Sequence, residues 1–173
     1  MKEVQFPGEN ILKLVISLVI PQLAGYWGSR FTRESISTWY VSLKKPAFTP
    51  PDWVFEPVWI MLYFLMGIAL YLVWRQGINR IDVQRALYIF FFQLAVNVFW
   101  VFMFFGRQSP TQALAVLAVL LLLIALTFLS FYTVNSDAAF CLVPYMVWIV
   151  FALILNLYIV IMNGSQARLL GSA

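Results

Sequence analysis

The chain has 173 residues, 63% of them hydrophobic and only 10% charged, with a mean hydropathy of +0.88. A water-soluble domain carries about a quarter charged residues, so too little charge is present to cover a water-facing surface, and the composition is that of a single-domain integral membrane protein. The formal charge of +4 comes from residues at segment ends and forms no like-charge run or basic helix face, which excludes nucleic acid as a partner; with no histidine and a lone Cys141 in an apolar segment, a His/Cys metal site, a histidine-based triad and a disulfide framework are excluded too.

A spanning helix needs about 20 mostly apolar residues, and five segments qualify: 11–31, 57–74, 83–105, 111–133 and 139–162. The first contains Pro21, where a kink is expected. Its apolar run from Leu14 to Trp27 is similar to a signal-peptide core, but Arg30 and Arg33 follow it in place of a small-residue cleavage site, so it reads as a retained helix. The breaks at 75–80, 106–110 and 135–137 carry charge and turn chemistry. Long apolar runs without alternation exclude a β-barrel, and no internal repeat points to an inverted-repeat transporter. The expected fold is an all-α bundle of five membrane helices in one domain, 1–163, with a short tail, 164–173, that reads as partly a cloning remnant. Lys2, Lys13, Arg75, Arg80 and Arg85 fall on one side and Arg30, Arg33, Lys44, Lys45, Arg107 and Arg168 on the other, a balance from which the positive-inside rule yields no orientation.

Between the first two helices, residues 39–59 hold Trp39, Trp53 and Trp59, several prolines and much of the charge. Long loops in compact proteins are functional or disordered, and disordered segments are poor in aromatics. This loop is therefore expected to be an ordered cap, with 32–56 outside the bilayer core. Asp52 and Glu56 are expected to pair with Lys44 and Lys45 or to favour the start of the second helix, placed at Glu56–Pro57.

Polar groups inside spanning helices mark function or interhelical bonding. Gln93, Asn97 and Trp100 recur at four and three residues on one face of the third helix. Tyr145, Trp148, Ala152 and Asn156 do so on the fifth, just after Pro144, and Trp59 and Tyr63 are a turn apart on the second. The fourth is almost purely aliphatic from Ala113 to Ile124 and reads as a lipid-facing or packing helix. Trp53, Trp74 and Tyr132 fit an interfacial belt. Three aromatic and amide stripes suit a cavity for a flat, largely apolar ligand.

These residues also carry a resemblance. Gly28-Ser29-Arg30-Phe31, Trp39-Tyr40, Lys45-Pro46, Pro50-Pro51, Trp53-Val54, Pro57-Val58-Trp59, Leu62-Tyr63 and Met66-Gly67 occur in order, followed by Gln93-Leu94-Ala95-Val96-Asn97, Trp100, Phe104-Phe105-Gly106, Pro144-Tyr145, Trp148, Phe151-Ala152 and Leu155-Asn156. From first helix to last the chain resembles the translocator protein / tryptophan-rich sensory protein (TspO) family, once called the peripheral benzodiazepine receptor, in its prokaryotic form. The resemblance implies a five-helix bundle with a pocket closed by the first loop, a homodimer, and residence in a prokaryotic cell membrane. It implies binding of porphyrins, notably protoporphyrin, of isoquinoline carboxamide or benzodiazepine ligands, and of sterols in several members. The family's pocket tryptophans map onto Trp59 and Trp148 and its pocket asparagine onto Asn97.

Departures accompany the match. Phe48 stands where the loop usually has Trp, and Trp100-Val101-Phe102 replaces a Trp-x-Pro. The sterol motif of the fifth helix is missing, since the base after Tyr158 is Arg168; weak matches at 23–30 and 65–75 carry little weight. Leu87, Phe90 and Phe91 replace the small-residue helix face of one known dimer, so a dimer of this chain is expected to pack differently. The expected function is a receptor or sensor-transporter for protoporphyrin-type tetrapyrroles, bound as ligand and not as a metal-held cofactor, with Trp39, Trp59, Tyr63, Gln93, Asn97, Trp100, Tyr145, Trp148, Ala152 and Asn156 as binding residues. Two alternatives stay open: an enzyme that degrades porphyrin oxidatively in light, with Trp59 and Trp148 as its participants, and a structural or regulatory membrane protein.

Overall fold

The computed structural model describes the backbone from Pro7 to Leu170 and side chains from Glu9 to Gly164. Lys2 and the side chain of Arg168, counted in the charge balance, lie outside the described residues. Among the described residues there is no strand, and five helices are long and apolar enough to cross a membrane.

Helix α1, Pro7–Ile36, carries Glu9 in its first turn and Arg33 in its last, each the sign that the helix dipole favours at that end. It continues a turn and more beyond the expected boundary at 31, because the polar residues that suggested a loop are still helix formers. A short helix α2, Trp39–Ser42, lies in the loop. Helix α3, Asp52–Trp74, starts four residues before the expected Glu56–Pro57 boundary. Asp52 supplies the acidic first turn, and Pro57 is accommodated near the start, where only the bond to the Trp53 carbonyl is forfeited. Helix α4, Ile81–Val101, runs on into a π-helical segment, Phe102–Gly106, in which the Arg107 amide donates to the Phe102 carbonyl at 2.8 Å. The missing proline is thus replaced by another helix distortion at the same place. Helix α5, Pro110–Val134, opens on a proline. The fifth span is split into α6, Ser136–Phe140, and α7, Val143–Leu170. Asn135 caps α6 by accepting from the Ala138 amide at 2.9 Å, and Pro144, which lacks a donor, follows the break.

Two contacts fix how the helices pack. A Cβ on Gly67 would stand 2.8 Å from Leu18 Cα and from the Ser17 carbonyl oxygen, so α3 crosses α1 with backbones almost touching. On the other side Phe90 of α4 stacks on Phe131 of α5 with centroids 5.6 Å apart. Leu87 and Phe90 are buried within the chain itself and, of the three, only Phe91 is exposed. Two of the three residues that stood at the supposed dimer face are thus core residues. The aliphatic α5 buries one stripe, Leu117, Leu120, Ile124, Thr127 and Phe131, and exposes Val119, Leu122, Leu126 and Leu129, so it is both a packing and a lipid-facing helix. The backbones of α3 and α7 scarcely approach each other; α3 reaches the fifth span chiefly through α6. The two helices therefore diverge toward the end where α2 sits.

Candidate ligand-binding cavity

The space between the diverging helices is a cavity of about 420 Å³ walled by α1, α3, the end of α4 with its π-helical segment, and α7. Its size falls within the usual range for small-molecule sites. Aromatic rings form much of the wall. Trp59 lies 5.4 Å from Tyr63 and 5.9 Å from Trp100 between ring centroids, and Trp100 lies 6.2 Å from Phe104. Across from them Trp148 contacts Phe55 at 6.0 Å and Phe151 at 5.3 Å.

Of the residues expected from sequence, Trp59, Tyr63, Trp100, Trp148, Ala152 and Asn156 are in this wall. The other four are elsewhere. Trp39 packs edge-on against Phe104 at 5.5 Å. Gln93, Asn97 and Tyr145 are not in the wall but in a buried hydrogen-bond network behind Tyr63. The Tyr63 hydroxyl donates to Asn97 Oδ1 at 2.7 Å, Asn97 Nδ2 donates to the Tyr145 hydroxyl at 2.9 Å, and that hydroxyl donates to Gln93 Oε1 at 3.3 Å. One face of α4 thus serves two levels, since Gln93 and Trp100 are about 10 Å apart along the axis. The rings of Tyr63 and Tyr145 in turn lie against Trp59, the latter at 6.3 Å. Asn97 bears on the cavity through both tyrosines.

Helix α1 contributes a wall that sequence reading did not assign, including Gln22, Gly25, Gly28, Ser29 and Thr32. A Cβ on Gly25 would run into the Tyr63 ring, so glycine there is what lets Tyr63 lie against α1. The quoted Gly28-Ser29 pair was the available signal. Arg33, Asp52, Trp53 and Glu56 also border the cavity. Trp53 is strongly exposed, as an interfacial residue is, while also bordering the cavity.

The loop is ordered by specific bonds. Asn163 of α7 grips the backbone of Lys44 twice: its Oδ1 accepts from the Lys44 amide at 3.1 Å and its Nδ2 donates to the Lys44 carbonyl at 2.9 Å. Phe48 packs edge-on against Tyr158 at 5.3 Å. Ser35 Oγ donates to the Phe105 carbonyl at 2.7 Å, tying the end of α1 to the π-helical segment. Lys45 does not reach for Asp52 or Glu56. Its Nζ donates to the Tyr40 carbonyl at 2.6 Å and lies 4.2 Å over the Tyr40 ring. Tyr40 is buried under the loop, and burial first, then the charge of Asp52, pushes its hydroxyl up to about 12.

Comparison with known proteins bears on this arrangement. Residues 17–162 match the model of the TspO/MBR family. The chain belongs to the TspO/MBR family. It is 43% identical to Tryptophan-rich protein TspO of Archaeoglobus fulgidus over 155 residues, 90% of this chain and 99% of that protein. It is 36% identical to Translocator protein of Bos taurus over 140 residues, covering 80% and 82%. Identity to Tryptophan-rich sensory protein of Cereibacter sphaeroides is 37% over 129 residues, covering 74% and 78%. This TspO/MBR chain is therefore a multi-pass integral membrane protein of a receptor and sensor family, and the five-helix bundle is the fold expected of it.

Proposed function

We propose that the cavity binds protoporphyrin-type tetrapyrroles, and that the protein acts as a receptor or sensor-transporter for them in a prokaryotic cell membrane. The observation that carries this reading is the wall formed by Trp59, Trp100, Trp148, Phe55 and Tyr63 beneath a loop fastened to α7. A flat macrocycle that buries about 300 Å² of apolar area gains roughly 7 kcal/mol, before the costs of association. The chain has no histidine, the most familiar axial ligand for haem iron, so the free-base ring is the favoured form. The archaeal and bacterial relatives support the location.

Titration of the purified protein with protoporphyrin, in darkness and in light, tests the reading. Saturable binding in the dark without new absorption bands in light is the expected result. Trp148→Phe keeps most of the stacking area and is expected to weaken binding by about 1 kcal/mol. Absence of binding overturns the proposal. Light-driven conversion that is lost in Trp148→Phe while binding persists identifies an enzyme instead, because phenylalanine cannot replace indole as an electron donor.

A further inference from the structure

The cavity is aromatic in its depth and charged at its mouth. Three charged side chains border it: Arg33 from α1, and Asp52 and Glu56 from α3. All three are exposed. The close approach of Gly25 to the Tyr63 ring gives the two helices a common level deep in the cavity. From that level toward the loop, Arg33 is eight residues along α1 and Glu56 seven residues back along α3, rises of about 12 Å and about 10 Å. The two therefore stand at similar height on different walls, with Asp52 one turn beyond Glu56. The half-buried Thr32 adds a hydroxyl on the side of Arg33.

These charges are not spent on one another. Among the described residues the one ion pair is Arg80–Asp82, so Arg33 is bonded to neither carboxylate. Lys45 is not in the wall; its Nζ is held at the Tyr40 carbonyl and over the Tyr40 ring. The mouth thus offers one cation on α1 and two anions on α3. An anionic group entering it can be matched once, at Arg33. A second anion finds no further cation in the wall and stands before the carboxylates, where like charges repel.

Protoporphyrin carries two propionic acids side by side on one edge of the ring, both ionised at neutral pH. With the ring between Trp59, Trp100 and Trp148, that edge belongs at the mouth, where water can solvate it. We propose that Arg33, Asp52 and Glu56 are specificity-determining residues that make the cavity favour tetrapyrroles with a single free carboxylate over those with two or none. Arg33 pairs with the one carboxylate, with Thr32 beside it as a further donor, and Asp52 and Glu56 repel a second. This rests on the reading of the cavity as a tetrapyrrole site and names the class of tetrapyrrole it takes.

The test compares protoporphyrin, its monomethyl ester and its dimethyl ester, titrated in the dark at neutral pH against purified protein by quenching of tryptophan fluorescence. The monoester is expected to bind about threefold more tightly than either of the others, the scale of an exposed charge pair, and the differences should shrink in high salt. Arg33→Gln is expected to bring the monoester down to the diester or below it. Glu56→Gln is expected to bring the diacid up toward the monoester and to leave the diester unchanged. Both side chains are exposed, so neither change disturbs the core, and the ratios between ligands are compared from protein to protein, which cancels their different partition into detergent. A diacid or a diester that binds the unsubstituted protein as tightly as the monoester overturns the proposal while leaving the tetrapyrrole reading intact. So do ratios that either variant leaves unchanged. If none of the three binds, the tetrapyrrole reading falls and the proposal with it.

Discussion

The two ends of this bundle are built from the same helices and behave as different materials. At the end where α3 meets α4, α5 and α6, Ala69, Leu70, Val73, Ala86, Phe131 and Ala139 are essentially fully buried. Small residues there let helices close up around the larger ones. At the loop end Trp59, Phe55 and Trp148 are only partly covered, and charged groups border the opening. Large rings there hold α3 and α7 apart. The Tyr63–Asn97–Tyr145–Gln93 network lies at the boundary between them. The contrast teaches that the cavity is not a packing defect: one end is closed by small side chains and backbone approach, and the other is propped open by rings that brace one another.

The sharpest way to break the packed end is Gly67→Ala. The new methyl would meet α1 backbone, not a flexible side chain, at 2.8 Å, so the helices must separate. The expected cost is about 3 kcal/mol, read as a lowered midpoint in thermal unfolding in detergent. An unchanged midpoint would mean that α1 and α3 do not cross there. Asn97→Leu attacks the boundary. It leaves the buried Tyr63 hydroxyl without its acceptor, at a cost of about 2 kcal/mol, and is expected to weaken ligand binding only through the displaced tyrosine rings. The open end should respond in the opposite sense. Ala152→Phe puts a ring into the cavity, so it is expected to reduce protoporphyrin affinity about tenfold or more with the unfolding midpoint nearly unchanged. A large loss of stability instead would show that the space at Ala152 is already filled by protein.

The same contrast explains what the amino-acid order made legible. Five long apolar runs separated by turn chemistry are enough to read five helices, because lipid imposes length and hydropathy on each segment separately. The stripe on α4 was also readable, since Gln93, Asn97 and Trp100 do share a buried face. Which of them reaches the cavity was not, because depth along a shared face is decided by Tyr63 and Tyr145 on other helices. Residues 32–36 and 52–56 look like loop and are helix: the charged side chains of Arg33, Glu34, Asp52 and Glu56 stay exposed, and the buried Ser35 donates to the Phe105 carbonyl. The wall supplied by Gly25 and Gly28 escaped for a different reason: glycines contribute space, and space has no periodicity to read.

The smallest expected effects lie in the loop that covers the open end, and they test whether it is a lid fastened by few bonds. Asn163→Ala removes both bonds to the Lys44 backbone and is expected to cost about 1 kcal/mol of loop closure. It should appear as faster ligand association and release with a small change in affinity; unchanged rates would show that Phe48 and Tyr40 hold the loop alone.

Tyr40 gives the subtlest handle. Its hydroxyl is pushed up to about 12 from 10 when the loop is closed, chiefly by burial and secondarily by Asp52. A raised value means that the closed loop favours the neutral phenol and disfavours the phenolate. Its contribution to closure is therefore fully present below pH 10 and is lost as pH rises from 10 toward 12. A spin label at Val41, exposed on the neighbouring position of α2, should gain mobility across that interval. Tyr40→Phe keeps the ring under Lys45 but cannot ionise, so in that variant the tyrosine-dependent part of the transition should vanish. Identical pH profiles for the two proteins would remove Tyr40 from the fastening of the loop and leave it to Asn163 and Phe48.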